Sequence, residues 1–189
     1  METKRTMIVA AFPACGKTYL TKNQESLRFQ TIYGERNLSF TDLDTGYTDK
    51  EVGWEKKYVD SMLKLIGSVD FIFTGQREAV LKELAARGIK YVTVTPYNSY
   101  GMPWKEQQII KNQWFGRFVL RDNSHIDNIE EWFRKFKDNF NTWTSPEFLN
   151  QFSPAATYAL QQNEFIEDIV PLLFEHKETK DEYVQEAQS

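Results

Sequence analysis

The residues best suited to chemistry stand near the amino end, in the run Ala11-Phe12-Pro13-Ala14-Cys15-Gly16-Lys17-Thr18. The run fits the phosphate-loop pattern in a relaxed form, with Ala in place of the first Gly. A backbone wrapped tightly around phosphate presents several N–H groups. In that arrangement Gly16 admits the close approach, Lys17 reaches the β and γ phosphates, and the Thr18 hydroxyl ligates Mg²⁺. Pro13, Ala14 and Cys15 complete the expected cradle, and Tyr19 follows it. Chance yields the relaxed pattern in on the order of one in a hundred chains of this length, so its surroundings must decide. They support it: Thr6 to Phe12 is a continuous apolar run suited to a buried parallel strand, and a helix-compatible stretch begins at Lys17. Ala11 calls for a negative φ at the first loop position. Cys15 is either a thiol acidified by nearby helix N–H groups or a small filler, with filler the preferred reading.

Two further groups of residues bear on the reaction. Asp42 and Asp44, two apart at the end of an expected second strand over 38–41, share one side of the pleat. Asp42 is the candidate for the metal, and Asp44 for accepting a proton or hydrogen bond from an acceptor substrate. A solvated turn is the plain alternative. The third apolar run, 69–74, carries no acid at its carboxyl end, where a Walker-B Asp would stand, and continues into Gly75-Gln76-Arg77. Gly75 would let a substrate approach the backbone and Gln76 or Arg77 would bind it, although a helix start accounts for the same residues. The missing acid weakens readings as a motor or switch. Arg117 and Arg121, four apart on one face of an expected helix, could stabilise charge in phosphoryl transfer, with Lys105 and Lys111 on the same segment. A solvated basic face is their alternative.

These groups need a scaffold, and the chain supplies alternating patterns. Helical spacing over 49–67 and again over 76–87 separates the apolar runs 38–41, 69–74 and 89–95. Strands alternating with helices imply right-handed crossovers, a parallel sheet with helices on both faces, and ligands at the carboxyl ends of the strands. After Pro96 a loop over 97–103 leads to a helix from Trp104 to Arg121. Ser124 and Asp127 then read as a capping box before a stripe of Ile129, Trp132, Phe133, Phe136, Phe140 and Trp143. Ser145-Pro146 and Ser153-Pro154 each predict a further helix start, and the charged tail from Glu175 is expected to fray.

Composition narrows the function classes. The chain of 189 residues has 41% hydrophobic and 26% charged residues, ordinary for a folded domain. One cysteine and two histidines cannot assemble a zinc-type cluster. A net charge of −4 gives no general basic field for duplex nucleic acid. No apolar run reaches membrane-spanning length, which makes the cytoplasm the expected location. Aromatic residues make up 15% of the chain, and the helical stripe assigns most of them to core. Tyr47, Tyr97, Tyr100, Trp104 and Trp114 are left as candidate ligand contacts.

Taken together, AFPACGKT, the Asp42-Leu43-Asp44 triplet, Gly75 after the third strand and the arginine-bearing WFGRFVLR after the fourth resemble small P-loop kinases. The likeness is to the nucleoside-monophosphate and shikimate or gluconate kinase type, especially compact versions encoded by bacteriophages. It covers roughly residues 6–122. It implies an α/β, three-layer P-loop NTPase fold in one domain, with a parallel sheet of four to five strands and a helical carboxyl-terminal region. The core would span about 6–96, a lid region about 97–122, and helices about 123–175 before the tail. By similarity Lys17 and Thr18 would serve ATP and Mg²⁺, Asp42 the metal, Asp44 the acceptor, and Arg117 and Arg121 would be lid arginines. A nucleotide or deoxynucleotide monophosphate is the expected acceptor. The competing expectations are a nucleotide-binding interaction protein with weak chemistry and a kinase of 5′-hydroxyl polynucleotide ends, the latter disfavoured by the acidic pI of about 5.3.

Overall fold

A computed structural model of the chain describes residues 4–43, 52–121 and 129–180, apart from the side chains of Arg121, Ile129 and Trp132. Its centre is β1 (Met7–Ala11), all five residues of which are buried. A strand covered on both faces has no polar side to show, which is why its sequence is an unbroken apolar run. On one side β1 pairs with β5 (Phe71–Gly75), and on the other with β6 (Tyr91–Pro96), in both cases parallel. β4 (Phe40–Asp42) and β7 (Ala156–Leu160) close the edges, giving the order β4-β5-β1-β6-β7 with every pairing parallel.

Helices cover both faces. One face buries Met7, Val9, Phe71, Phe73, Val92 and Val94 of the sheet. Against it lie α1 (Lys17–Asn23), α4 (Trp104–Arg121), α5 (Ile129–Trp143) and α7 (Ile166–Thr179). The other face buries Ile8, Ala10, Ile72 and Tyr91 under α2 (Trp54–Leu63) and α3 (Glu78–Ala86). α6 (Pro146–Asn150) begins as expected: the Ser145 hydroxyl accepts from the Phe148 N–H ahead of Pro146. Among the described side chains of the aromatic stripe on α5, Phe136 and Phe140 are buried in the core, while Phe133 and Trp143 are partly buried.

Three expectations change. No helix starts at Ser153-Pro154. Ser153 takes φ 51°, turning the chain so that the Ala155 N–H donates to the Tyr91 carbonyl and β7 begins. The alanines of ATYAL read as helix formers, but pairing with β6 and a Thr93–Thr157 hydroxyl bond override that weak propensity. The carboxyl-terminal part is therefore not wholly helical, because it supplies the fifth strand. Between α1 and β4 the chain forms an antiparallel hairpin of β2 (Phe29–Thr31) and β3 (Gly34–Arg36), strands too short to show a period. The first part of the charged tail is helical rather than frayed, since α7 runs to Thr179 and Lys177 on it is 1% exposed, while residues 181–189 lie outside the described residues. The Lys177 ammonium donates to Asp70 Oδ1 at 3.0 Å and to the Arg5 carbonyl, burying its stem beside Phe71 and Phe174. The Ser124–Asp127 capping box lies outside the described residues.

Candidate active site at the carboxyl edge of the sheet

The loop from Phe12 to Gly16 leaves the central strand and turns back into α1. Phe12 holds its root: its N–H donates to the Val94 carbonyl, and its ring meets Trp114, Phe136 and Phe140 edge-on at about 6 Å. Ala11 stays in the strand, so Ala at the first position causes no strain. The left-handed conformations fall instead at Ala14 (φ 63°) and Gly16 (φ 105°). A backbone of alternating hand turns successive N–H groups toward one side, the geometry of an anion-binding concavity. Gly16 is needed for its φ rather than for room, since an added Cβ would meet Phe165 and Ile166 at an ordinary 3.6 Å. A left-handed Ala costs about 1–2 kcal/mol, held here by surrounding contacts.

The far end of the chain braces this loop. The Ile166 N–H, at the start of α7, donates to the Cys15 carbonyl at 2.8 Å. Cys15 is wholly buried, and burial pushes its thiol pKa up despite the nearby Lys17. That agrees with the filler reading, because a buried neutral thiol is a poor nucleophile. Pro13 is half-buried in the loop, and Tyr19, in the first turn of α1, is exposed.

Lys17 is 3% exposed, and its ammonium donates to the Ala11 carbonyl at 3.1 Å, curling back over the loop. The Thr18 hydroxyl donates to Asp42 Oδ2 at 3.0 Å. Asp42 makes this contact from the edge strand although β5 stands between β4 and β1. Thr18 and Asp42 thus bring two hard oxygen ligands together, which suits Mg²⁺, an ion that takes one or two protein ligands and completes its shell with water and phosphate. Among the described residues no group of three or more His, Cys, Asp or Glu could hold a metal by itself. Asp44 and Tyr47 lie outside the described residues.

Gly75 pairs with Ala11 in register, so the segment after β5 opens beside the loop. The Gln76 amide nitrogen donates to the carbonyls of Ala10 (3.3 Å) and Val94 (3.0 Å), crossing over β1. Arg77 precedes α3, with its guanidinium 5.8 Å from the Trp54 ring centre. Beyond the loop, Arg117 is sandwiched between Trp114 (4.4 Å) and Phe165 (4.2 Å) and donates to the Glu164 carbonyl at 2.7 Å. Burial lowers the pKa of its guanidinium below the ordinary value. Arg121 closes α4. Lys111 donates to the Lys137 carbonyl and ties α4 to α5, whereas Lys105 is exposed.

The structure therefore brings Lys17, Thr18, Asp42, Gly75 and Gln76 to one edge, with Arg117 reaching the loop through Phe165. Of the ring candidates, Trp114 is core, whereas Tyr97, Tyr100 (83% exposed) and Trp104 (71%) face solvent. Sequence reasoning missed Phe165 and Ile166 as braces. Asp168, which accepts from the Phe165 N–H at 2.7 Å, is a helix-start signal, but Phe at the cap position conceals it. The molecule is defined at the level of class as an α/β protein with a five-stranded parallel sheet between helices. Comparison with known protein families and with curated proteins returns no match.

Proposed function

We propose that this chain is an ATP- and Mg²⁺-dependent phosphotransferase acting on a small acceptor, a nucleoside or deoxynucleoside monophosphate. The observation that carries the reading is the Thr18–Asp42 contact at the foot of a loop with left-handed Ala14 and Gly16. A hydroxyl and a carboxylate held together directly after an anion-binding concavity is the arrangement needed to hold a metal-bound triphosphate. Pro13, Ala14, Cys15 and Gly16 offer backbone to the phosphates. Lys17 releases the Ala11 carbonyl and meets phosphate oxygen, and Tyr19 flanks the entry.

In the transfer, an acceptor oxygen forms a bond to the γ-phosphorus as the bond to the β,γ-bridging oxygen breaks, and ADP departs with that electron pair. Mg²⁺, when bound at Thr18 and Asp42, neutralises phosphate charge. Gly75, Gln76 and Arg77 border the acceptor side, and Asp44 is its proposed proton or hydrogen-bond acceptor. Arg117 and Arg121 are the proposed sources of positive charge for the moving group, which stabilises transition-state charge without a proton transfer. Incubation with Mg-ATP and a panel of nucleoside monophosphates, following ADP, tests the reading. Acceptor-dependent ADP formation is the expected result. Measurable Mg-ATP binding with no acceptor-dependent turnover would overturn it.

A further inference from the structure

Two buried side-chain atoms, Gln76 Oε1 and Thr95 Oγ1, have no hydrogen-bond partner among the described residues. Folded proteins satisfy the large majority of such atoms, so two at one place call for a cause. They are at one place. Alternation along β5 puts Ile72 and Thr74 on the α2–α3 face and carries Gln76 to the same side, and alternation along β6 puts Tyr91 and Thr95 there too. The Gln76 amide nitrogen sits 3.0 Å from the Val94 carbonyl, which is bonded directly to the Thr95 nitrogen.

The orientation of Gln76 is fixed by chemistry. Both of its protein partners, the Ala10 and Val94 carbonyls, accept only, so the NH₂ group must face them and the carbonyl oxygen must face away. What remains on offer is an acceptor-only oxygen beside a hydroxyl, 2% exposed as a residue, that both donates and accepts. Both atoms are themselves buried, whereas Gln76 as a residue is only half-buried and Arg77 beside it is exposed.

We infer that Gln76 and Thr95 are specificity-determining residues that read the base edge of the acceptor nucleotide. A ring N–H or exocyclic amine donates to Gln76 Oε1, and an adjacent ring nitrogen or carbonyl accepts from the Thr95 hydroxyl. Arg77 and Trp54, on the same rim, offer charge and an aromatic face to the rest of the ligand. This rests on the phosphotransferase reading above.

The test is Thr95→Val, which keeps shape and removes the hydroxyl, with Gln76→Met as the second variant. Binding of AMP, GMP, CMP and dTMP, each in the presence of a non-hydrolysable ATP analogue, is measured by calorimetry alongside binding of the analogue alone and thermal melting. The expected result for Thr95→Val is an unchanged or raised melting temperature, unchanged analogue affinity, and about tenfold weaker binding of the preferred monophosphate. Gln76→Met should weaken the same monophosphate and narrow the discrimination between bases. A folded Thr95→Val that binds every monophosphate as the parent does overturns this assignment alone. A parent protein that binds the analogue and none of the monophosphates overturns the nucleotide-kinase reading, and this assignment with it.

Discussion

At the residue scale the Lys17 ammonium is the group on which nucleotide binding should depend most. Lys17→Ala removes a charge that is only 3% exposed and donates to the Ala11 carbonyl at the end of β1. Its loss should weaken Mg-ATP binding at least tenfold, about 1.4 kcal/mol, without lowering the melting temperature, as calorimetry and thermal melts would show. Loss of stability with unchanged affinity would make Lys17 a structural residue. Cys15 gives a second prediction: with its thiol buried and its pKa raised, alkylation of the native protein should run at least tenfold slower than in denaturant. Once modified, the added bulk should block nucleotide binding. The Gly16-Lys17-Thr18 part of the candidate site was legible as a motif because its features are local: a left-handed position, a cation and a hydroxyl in consecutive residues. Thr95 and Phe165 were not legible, since neither residue type signals anything by itself and both gain their meaning from strands and helices distant in sequence.

At the scale of elements, legibility followed how much of each element's stabilisation is local. Strands β1, β5 and β6 are buried on both faces and read as short, mostly apolar runs, and α5 repeats its rings at helical spacing, so each announced itself to within two residues or so. β7 did not, because an edge strand rich in alanine owes its conformation to β6 and to the turn at Ser153. The β2–β3 hairpin did not either, having three residues a side. α5 is tied to the loop through rings: Phe140 is wholly buried and meets Phe12 at 5.9 Å. Phe140→Ala should therefore cost about 3–5 kcal/mol, read as a lower denaturation midpoint. It should also weaken Mg-ATP binding in the folded fraction, since it loosens the root of the loop. A full loss of stability with unaltered affinity would separate α5 from the site.

At the scale of the whole molecule, the sheet has two unlike ends. Its carboxyl edge gathers the candidate site, whereas its amino edge is closed by charge. Asp70 accepts from Lys4, Lys177 and the Ser39 N–H and hydroxyl, joining the start of the chain, the region before β5 and the last helix. Burial alone would raise the Asp70 pKa, but Lys177 and the hydrogen bonds from Ser39 together hold it below the ordinary carboxylate value. A carboxyl depressed in the folded state stabilises fully above its unfolded pKa and loses that contribution as pH falls toward its folded value. Melting temperatures should therefore drop from about pH 4 downward, and less steeply in Asp70→Asn. At pH 7 that variant should be less stable by about 3 kcal/mol, because it leaves the buried Lys177 without its counter-charge. Equal acid sensitivity in both proteins would remove Asp70 from the account. Among the described residues no helix is long and apolar enough to cross a membrane. The parallel sheet and its helical cover were legible as alternation, but the joining of the two chain ends was not, since it depends on one charged side chain in a charged segment. The Ile166–Cys15 bond has a consequence for biosynthesis. A chain growing from its amino end exposes the loop residues first, yet the brace that fixes them is made near the end, so nascent chains halted before β7 would carry the motif without its set conformation. Nucleotide capture by ribosome-bound intermediates should accordingly begin only after α7 has emerged, and a chain released before that point would be recognisable by its sequence yet empty of its ligand.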